Sequence, residues 1–371
     1  MADTPRKFIV PKDVTDALRS VQFPGGKENI VALDMVQEIR IAGKKVTFSL
    51  VFQRSDDPSM GEVIRLCEET IVRELGSDVE IKGNITPKAI HQMERPILPG
   101  VKNILAISSG KGGVGKSTVA VNLAVALAKT GAKVGVIDAD IFGPSIPKMF
   151  GAEQIRPAGV NVDGREMIEP VVQHGVKILS IGFFVAGDDA LVWRGPMASN
   201  ALKQLISDGN WGDLDYLLID LPPGTSDIHL TLVQTVPVTG AVIVSTPQDV
   251  ALADVVKGVS MFRGKNVDVP VLGLVENMAW FTPEELPDNK YYIFGKDGAK
   301  NLAEKLDIPL LGQIPLVQGI REGGDSGVPA ATDEQSPMGK AFLALAANTV
   351  KQVENRNAQL DPTKKVKVSR K

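Results

Sequence analysis

The chain has 371 residues, of which 43% are apolar and 23% charged; it can bury two or three cores and is neither globally disordered nor a stapled miniature scaffold. Its 41 Lys and Arg stand against 44 Asp and Glu, so a formal charge of -3 sets up no overall field toward nucleic acid or a lipid surface, and neither partner is expected. One cysteine, Cys67, and three histidines exclude an intrachain disulfide and leave no soft-ligand cluster for zinc.

Met1 to Pro11 carries Arg6 and Lys7 but no apolar core of a signal peptide, and nowhere do roughly 18 apolar residues run together. A cytoplasmic location is expected, in keeping with the lack of disulfide potential. Val14, Leu18 and Val21 predict a short helix closed by Pro24-Gly25-Gly26. Val36 to Ile41 and the alternating Val46, Phe48, Leu50 and Phe52 predict a hairpin across Ala42-Gly43-Lys44. A second helix starts near Pro58, with Val63, Cys67, Ile71 and Leu75 facing inward and Gly76 ending it; Val79 to Ile85 reads as another strand. Residues 1–85 thus form a small α+β domain. Residues 86–100, with Pro87, Pro96, Pro99 and Gly100, read as a linker.

Beyond the linker, short apolar runs alternate with helical stretches: Ile104 to Ser108, Lys133 to Asp138, Lys177 to Ile181, Tyr216 to Asp220, Ala241 to Ser245, Val271 to Glu276 and Leu310 to Ile314. Runs of this kind are strands buried on both faces. They predict an α/β fold over 101–355, a mainly parallel doubly wound sheet that binds its ligand at the carboxyl ends of the strands. Residues 356–371 read as a basic, disordered tail.

Gly110-Lys111-Gly112-Gly113-Val114-Gly115-Lys116-Ser117-Thr118 fits the phosphate-loop pattern and lies between a predicted strand and helix. Its glycines let several amides and the helix N-terminus face one phosphate group. Lys116 is placed to meet the β- and γ-phosphates of ATP, and the Ser117 hydroxyl to complete a Mg²⁺ shell. A second lysine, Lys111, is not needed by a plain phosphate loop. Two further strands end in carboxylates, Asp138-Ala139-Asp140 and Asp220; Asp138 and Asp220 are candidate Mg²⁺ ligands, and Asp140 is a candidate to position the attacking water.

Taken together, these motifs resemble the Mrp/ApbC-type P-loop ATPases, the iron–sulfur cluster carrier family, relatives of the division-site and plasmid-partition ATPases. The resemblance also runs through Asp138 to Ser145, Trp193 to Met197, Pro222 to Thr225, Ser245 to Leu252, Glu276-Asn277-Met278, Ile293-Phe294-Gly295 and Arg321 to Asp325. It implies an ATP-hydrolysing homodimer in which Lys111 reaches the partner's nucleotide, Asn277 bonds the adenine edge, and the N-terminal domain is the one associated with cluster assembly. Apoproteins or another cluster carrier are the implied partners.

One departure stands out. Where the family places Cys-x-x-Cys to bridge a cluster between two subunits, this chain has Ala279 to Tyr292 with no cysteine. Glu284, Glu285 and Asp288 offer only hard oxygens, poor substitutes for thiolates at an iron–sulfur cluster. The expected role is therefore cluster assembly or transfer, as a carrier or as an accessory to one. The alternative is a nucleotide-switched positioning ATPase without a cluster.

Overall fold

The computed structural model describes residues 9–26, 28–54, 57–91, 97–140, 143–184, 195–265, 267–283, 285–286 and 288–366, which divide into compact units spanning 1–95 and 96–371.

In the N-terminal unit, helix α1 (Pro11–Leu18) precedes strands β1 (Val36–Ala42) and β2 (Lys45–Arg54), then helix α2 (Met60–Leu75) and strand β3 (Ile85–His91). The sheet order is β1-β2-β3, with β2 antiparallel to β1 and parallel to β3. Alternation along β2 sends Val46, Phe48, Leu50 and Phe52 into a core with Val14 and Leu18 of α1 and Val63, Cys67 and Ile71 of α2. Gly76 ends α2 at φ 121°, a value that side chains resist.

The strand expected over Val79–Ile85 lies instead at Ile85–His91, inside the stretch read as linker. Pro87 lacks an N–H for the ladder, but β3 is an edge strand, where that loss is tolerated. His91 closes this strand and is not a linker residue.

The C-terminal unit runs β4 (Val101–Ser108), α3 (Lys116–Lys129), β5 (Val134–Asp138), α4 (Ile146–Met149), β6 (Ala158–Val162), β7 (Arg165–Glu169), β8 (Val171–Gln173), β9 (Val176–Ser180) and α5 (Gly195–Ser207). It continues with β10 (Leu214–Asp220), α6 (Asp227–Thr235), β11 (Gly240–Ser245), α7 (Asp249–Phe262), β12 (Val271–Phe281), α8 (Gly298–Leu306), β13 (Leu310–Leu316), α9 (Gln318–Ser326) and α10 (Pro337–Gln359). Among the described residues β13-β12-β11-β4-β10-β5-β9-β8 form one sheet, parallel except for the β8–β9 pair. Each of the seven apolar runs read from the sequence is one of its strands. The β6–β7 hairpin and β8 carried no comparable run and were not foreseen.

Both faces of the sheet are covered. Leu105 and Ile107 of β4 pack into the core that holds α3 and α10, while Ile104 and Ala106 turn to the opposite core with α5, α6 and α7. Burial of each large aliphatic side chain contributes about 1.5–3 kcal/mol, so double coverage accounts for the near-continuous apolar composition of the strands. Parallel pairing puts the carboxyl ends of all these strands but β8 on one edge. Because β10 inserts between β4 and β5, Asp220 lies in register with Ile107 on one side and Asp138 on the other.

The stretch read as a disordered tail is held in its described part. Helix α10 extends to Gln359, Arg356 bonds the Asp361 carbonyl and the Thr363 hydroxyl, each at 2.7 Å, and Val366 N–H donates to Val233 of α6. Its charge pattern concealed Val366, which packs against the core; Lys367 to Lys371 lie outside the described residues. No helix among the described residues is long and apolar enough to cross a membrane.

Candidate nucleotide-binding site

The loop between β4 and α3 leaves its central strand at the carboxyl edge and turns into the N-terminus of α3. Gly115 takes φ 78° beside Asn277, where a Cβ would collide with the amide nitrogen. At Gly110 a Cβ would strike the backbone of α7 at Asp254. The glycines are thus demanded by close approach as well as by the turn.

A cavity of about 200 Å³ opens over this loop, lined by Lys111, Gly112, Gly113, Gly115, Lys116, Ser117 and Thr118. Asp140, Ser145, Met149 and Pro223 close its other side. The loop amides and the amino end of α3 give it a positive field suited to phosphate. Val114 is buried beneath the loop, whereas Lys111 is exposed.

Lys116 Nζ bonds Asp220 Oδ1 at 2.6 Å and Ser117 Oγ at 3.2 Å, and stands 3.9 Å from Asp140. Ser117 Oγ donates to Asp220 Oδ2 at 2.5 Å. The structure therefore gathers Lys116, Ser117, Asp140 and Asp220 around one cation and one hydroxyl. Asp138 lies behind them, fully buried. Its carboxylate accepts from Ser180 Oγ at 2.9 Å and from the amides of Asp140 and Ile146. Burial, with the neighbouring Asp220 charge adding to it, pushes the Asp138 carboxyl up to about 8.

Asn277 sits across the loop. It faces a second cavity of about 550 Å³ that shares Gly115, Thr118, Ser145 and Met149 with the first and continues past Met278, Pro315 to Val317, Ile320, Arg321 and Asp325. The larger, more apolar volume beside a phosphate-sized one suits a base and its sugar. Ser145, Met149 and the Arg321–Asp325 pair, which is joined at 3.0 Å, have no role assigned from the sequence; Ser145 and the Arg321–Asp325 pair fall in motifs that carry the family resemblance, whereas no motif contains Met149. Ile141, Phe142, Trp193 and Arg194 lie outside the described residues.

His229, on α6, is 1% exposed. Burial, reinforced by the Lys116 charge, brings its imidazole down to about 4. In the interval from Ala279 to Tyr292, which contains no cysteine, Phe281 and Tyr291 exchange backbone bonds at 2.8 Å and the Lys290 ammonium lies 3.8 Å above the Trp280 ring. Cys67 is fully buried in the N-terminal unit, and desolvation pushes its thiol up to about 12. It is a core side chain rather than a thiolate ligand.

A family model described as NUBPL iron-transfer P-loop NTPase matches residues 100–350, and one described as iron-sulfur cluster assembly protein matches residues 11–82. The iron-sulfur cluster carrier protein of Synechocystis sp. is 46% identical over 336 residues, covering 90% of this chain and 95% of the relative. The iron-sulfur cluster transfer protein NUBPL of Dictyostelium discoideum is 49% identical over 264 residues, 71% of this chain and 80% of that protein. Among solved structures, a nucleotide-binding protein from Archaeoglobus fulgidus in complex with ADP is 40% identical with a TM-score of 0.56, covering 67% of this chain and 94% of that one. By the extent of these matches and by its phosphate loop, the chain belongs to the NUBPL iron-transfer P-loop NTPase family, whose members include the iron-sulfur cluster carrier proteins.

Proposed function

We propose that the protein is a Mg²⁺-dependent ATPase, working as a homodimer, that drives assembly of iron–sulfur clusters or their transfer to apoproteins. The observation that carries this reading is the convergence of Lys116, Ser117 and Asp220 beneath a phosphate-sized cavity, in a chain alignable with cluster carriers over 90% of its length. Incoming phosphate oxygens take over the Lys116 ammonium from Asp220. Ser117 and Asp220 would hold Mg²⁺ through the hard oxygens that it prefers, and the ion would neutralise charge on the phosphates. Asp138, with its oxygens already engaged, serves that metal shell from behind by fixing the Asp140 amide. Asp140 orients the attacking water, Asn277 reads the adenine edge, and Lys111 reaches across to the second subunit's nucleotide, where it neutralises charge in the transition state.

An iron–sulfur cluster is cargo in this scheme, and the donor set does not fit its retention by this chain alone. One buried cysteine per subunit gives two thiolates at most in a dimer. The protein is accordingly an accessory that uses ATP while other proteins supply the thiols. A positioning ATPase would share the nucleotide chemistry, but it leaves unexplained the N-terminal unit's match to a cluster-assembly model.

The test is anaerobic transfer from a cluster-loaded carrier to an apoprotein, with and without this protein and Mg-ATP. ATP-dependent acceleration supports the reading. Unchanged transfer rates, despite normal ATP hydrolysis, would leave only a nucleotide switch.

A further inference from the structure

The phosphate loop is stitched to the segment after Asp220 by a set of bonds that centres on a buried histidine. Leu221 N–H donates to the Ile107 carbonyl at 3.0 Å, and Gly224 N–H to that of Ser109 at 2.8 Å. Between these two anchors lies Pro223, which lines the phosphate cavity. Immediately beyond them, Ser226 begins α6 and His229 turns back. Its Nδ1 accepts from the Ser226 amide at 3.2 Å and contacts the Ser226 hydroxyl at the same distance; its Nε2 lies 3.4 Å from Ser108 Oγ.

Chemistry fixes the protonation of this ring. A backbone N–H can only donate, so Nδ1 must keep its lone pair, and the proton of the neutral imidazole resides on Nε2, aimed at Ser108. The ring is packed near Phe262, with centroids 6.2 Å apart, and is buried. Ser108 ends β4 two residues before Gly110. A single side chain therefore joins the cap of α6 to the root of the phosphate loop.

We propose that His229 is a positioning residue that locks the Leu221–Ser226 segment and α6 to the phosphate loop, so that occupation of the phosphate cavity and the register of that segment change together. This inference rests on the ATPase reading given above. His229 touches neither nucleotide nor metal; it acts through Ser108 and Ser226. Without the link, Pro223 and the Asp220 end of β10 sample more positions while nucleotide is bound, which lowers turnover more than binding.

Two variants separate its arms. His229→Asn retains an oxygen close to the Nδ1 position for the Ser226 amide and loses the reach to Ser108; Ser108→Ala removes only the hydroxyl. Steady-state ATP hydrolysis with Mg²⁺ is measured for each, for the double variant and for wild type, alongside ATP affinity by calorimetry. Loss of one buried bond predicts about a tenfold fall in kcat for each single variant, with less than about a twofold change in KM and affinity. Because the two groups act as one link, the double variant falls no further than the weaker single. Losses that multiply, or wild-type kcat in both single variants, overturn the proposal, as does a fall in Tm with kcat per folded molecule unchanged. Should wild type bind ATP but fail to hydrolyse it, the ATPase reading itself falls, a result distinct from any failure of the link.

Discussion

Asn277 Nδ2 donates to the Val114 carbonyl at 2.9 Å, a bond that spans 163 positions and fastens the carboxyl half of β12 to the phosphate loop. The side chain is nearly buried and borders the larger cavity, so it bridges the places proposed for phosphate and base. Asn277→Ala removes that bridge. We expect ATP affinity to fall about tenfold and discrimination between ATP and GTP to narrow, as a buried bond of about 1–1.5 kcal/mol implies. Calorimetric titration with both nucleotides checks this; unaltered affinity and selectivity would detach Asn277 from the base.

Lys116 is 6% exposed and paired with Asp220, which is fully buried. Lys116→Ala should abolish Mg-ATP binding, weakening it by at least about a hundredfold. It also strands a buried carboxylate, with a loss of stability of about 3–5 kcal/mol. Chemical denaturation and nucleotide titration read the two effects separately. Wild-type ATP affinity in a folded Lys116→Ala protein would contradict the phosphate-loop assignment.

Lys111 and Asp140 line the cavity, Lys111 exposed and Asp140 3.9 Å from the Lys116 ammonium. Lys111→Ala and Asp140→Ala are expected to keep ATP affinity within about threefold while losing most turnover, about a hundredfold, since the proposed role of each is on charge or water in the transition state. For Lys111, turnover per subunit in the wild type should also rise with protein concentration as the dimer forms. A rate per subunit that is independent of concentration down to the nanomolar range would remove the trans-acting role.

His229 sets a pH signature. Its folded-state value of about 4 lies below the unfolded value near 6.5, so the unfolded chain binds the extra proton between them. The stabilising contribution is full above about 6.5 and is lost as pH falls toward about 4. Asp138 acts in the opposite sense, because its raised value lets the folded chain hold a proton that the unfolded chain releases. The difference in unfolding free energy between wild type and His229→Asn isolates the histidine: it should shift against wild type as the solution is acidified through this window. A difference independent of pH from about 7 to 4 would show that the imidazole is not held neutral.

Cys67 lies among Val63, Ile71 and the apolar residues of β2. Cys67→Ala should leave ATP hydrolysis and the acceleration of cluster transfer unchanged within about twofold, with a stability loss of about 1 kcal/mol from the small cavity. Loss of transfer with ATPase activity intact would instead make this thiol a participant.

Much of this molecule was legible locally. The seven apolar runs identified the parallel strands because a strand covered on both faces has no polar side to hide it, and the phosphate loop announced itself because its donors are contiguous. Pro87 within β3 and Val366 beyond α10 went unread for one reason: each obeys a local signal, a proline or a basic context, that packing overrides. The small β6–β7 hairpin had no apolar run to mark it.

The sequence by itself determined the α/β class, the phosphate loop and the absence of any Cys-x-x-Cys pair, since composition and contiguous spacing suffice for each. Only the tertiary structure decided which carboxylate meets Lys116. The partner lies 104 residues away, brought there because β10 inserts between β4 and β5. The same strand order buries Asp138 behind that pair and sets His229 against Ser108. Such contacts follow from the order in which strands assemble, a long-range outcome of packing that no local pattern of residues encodes.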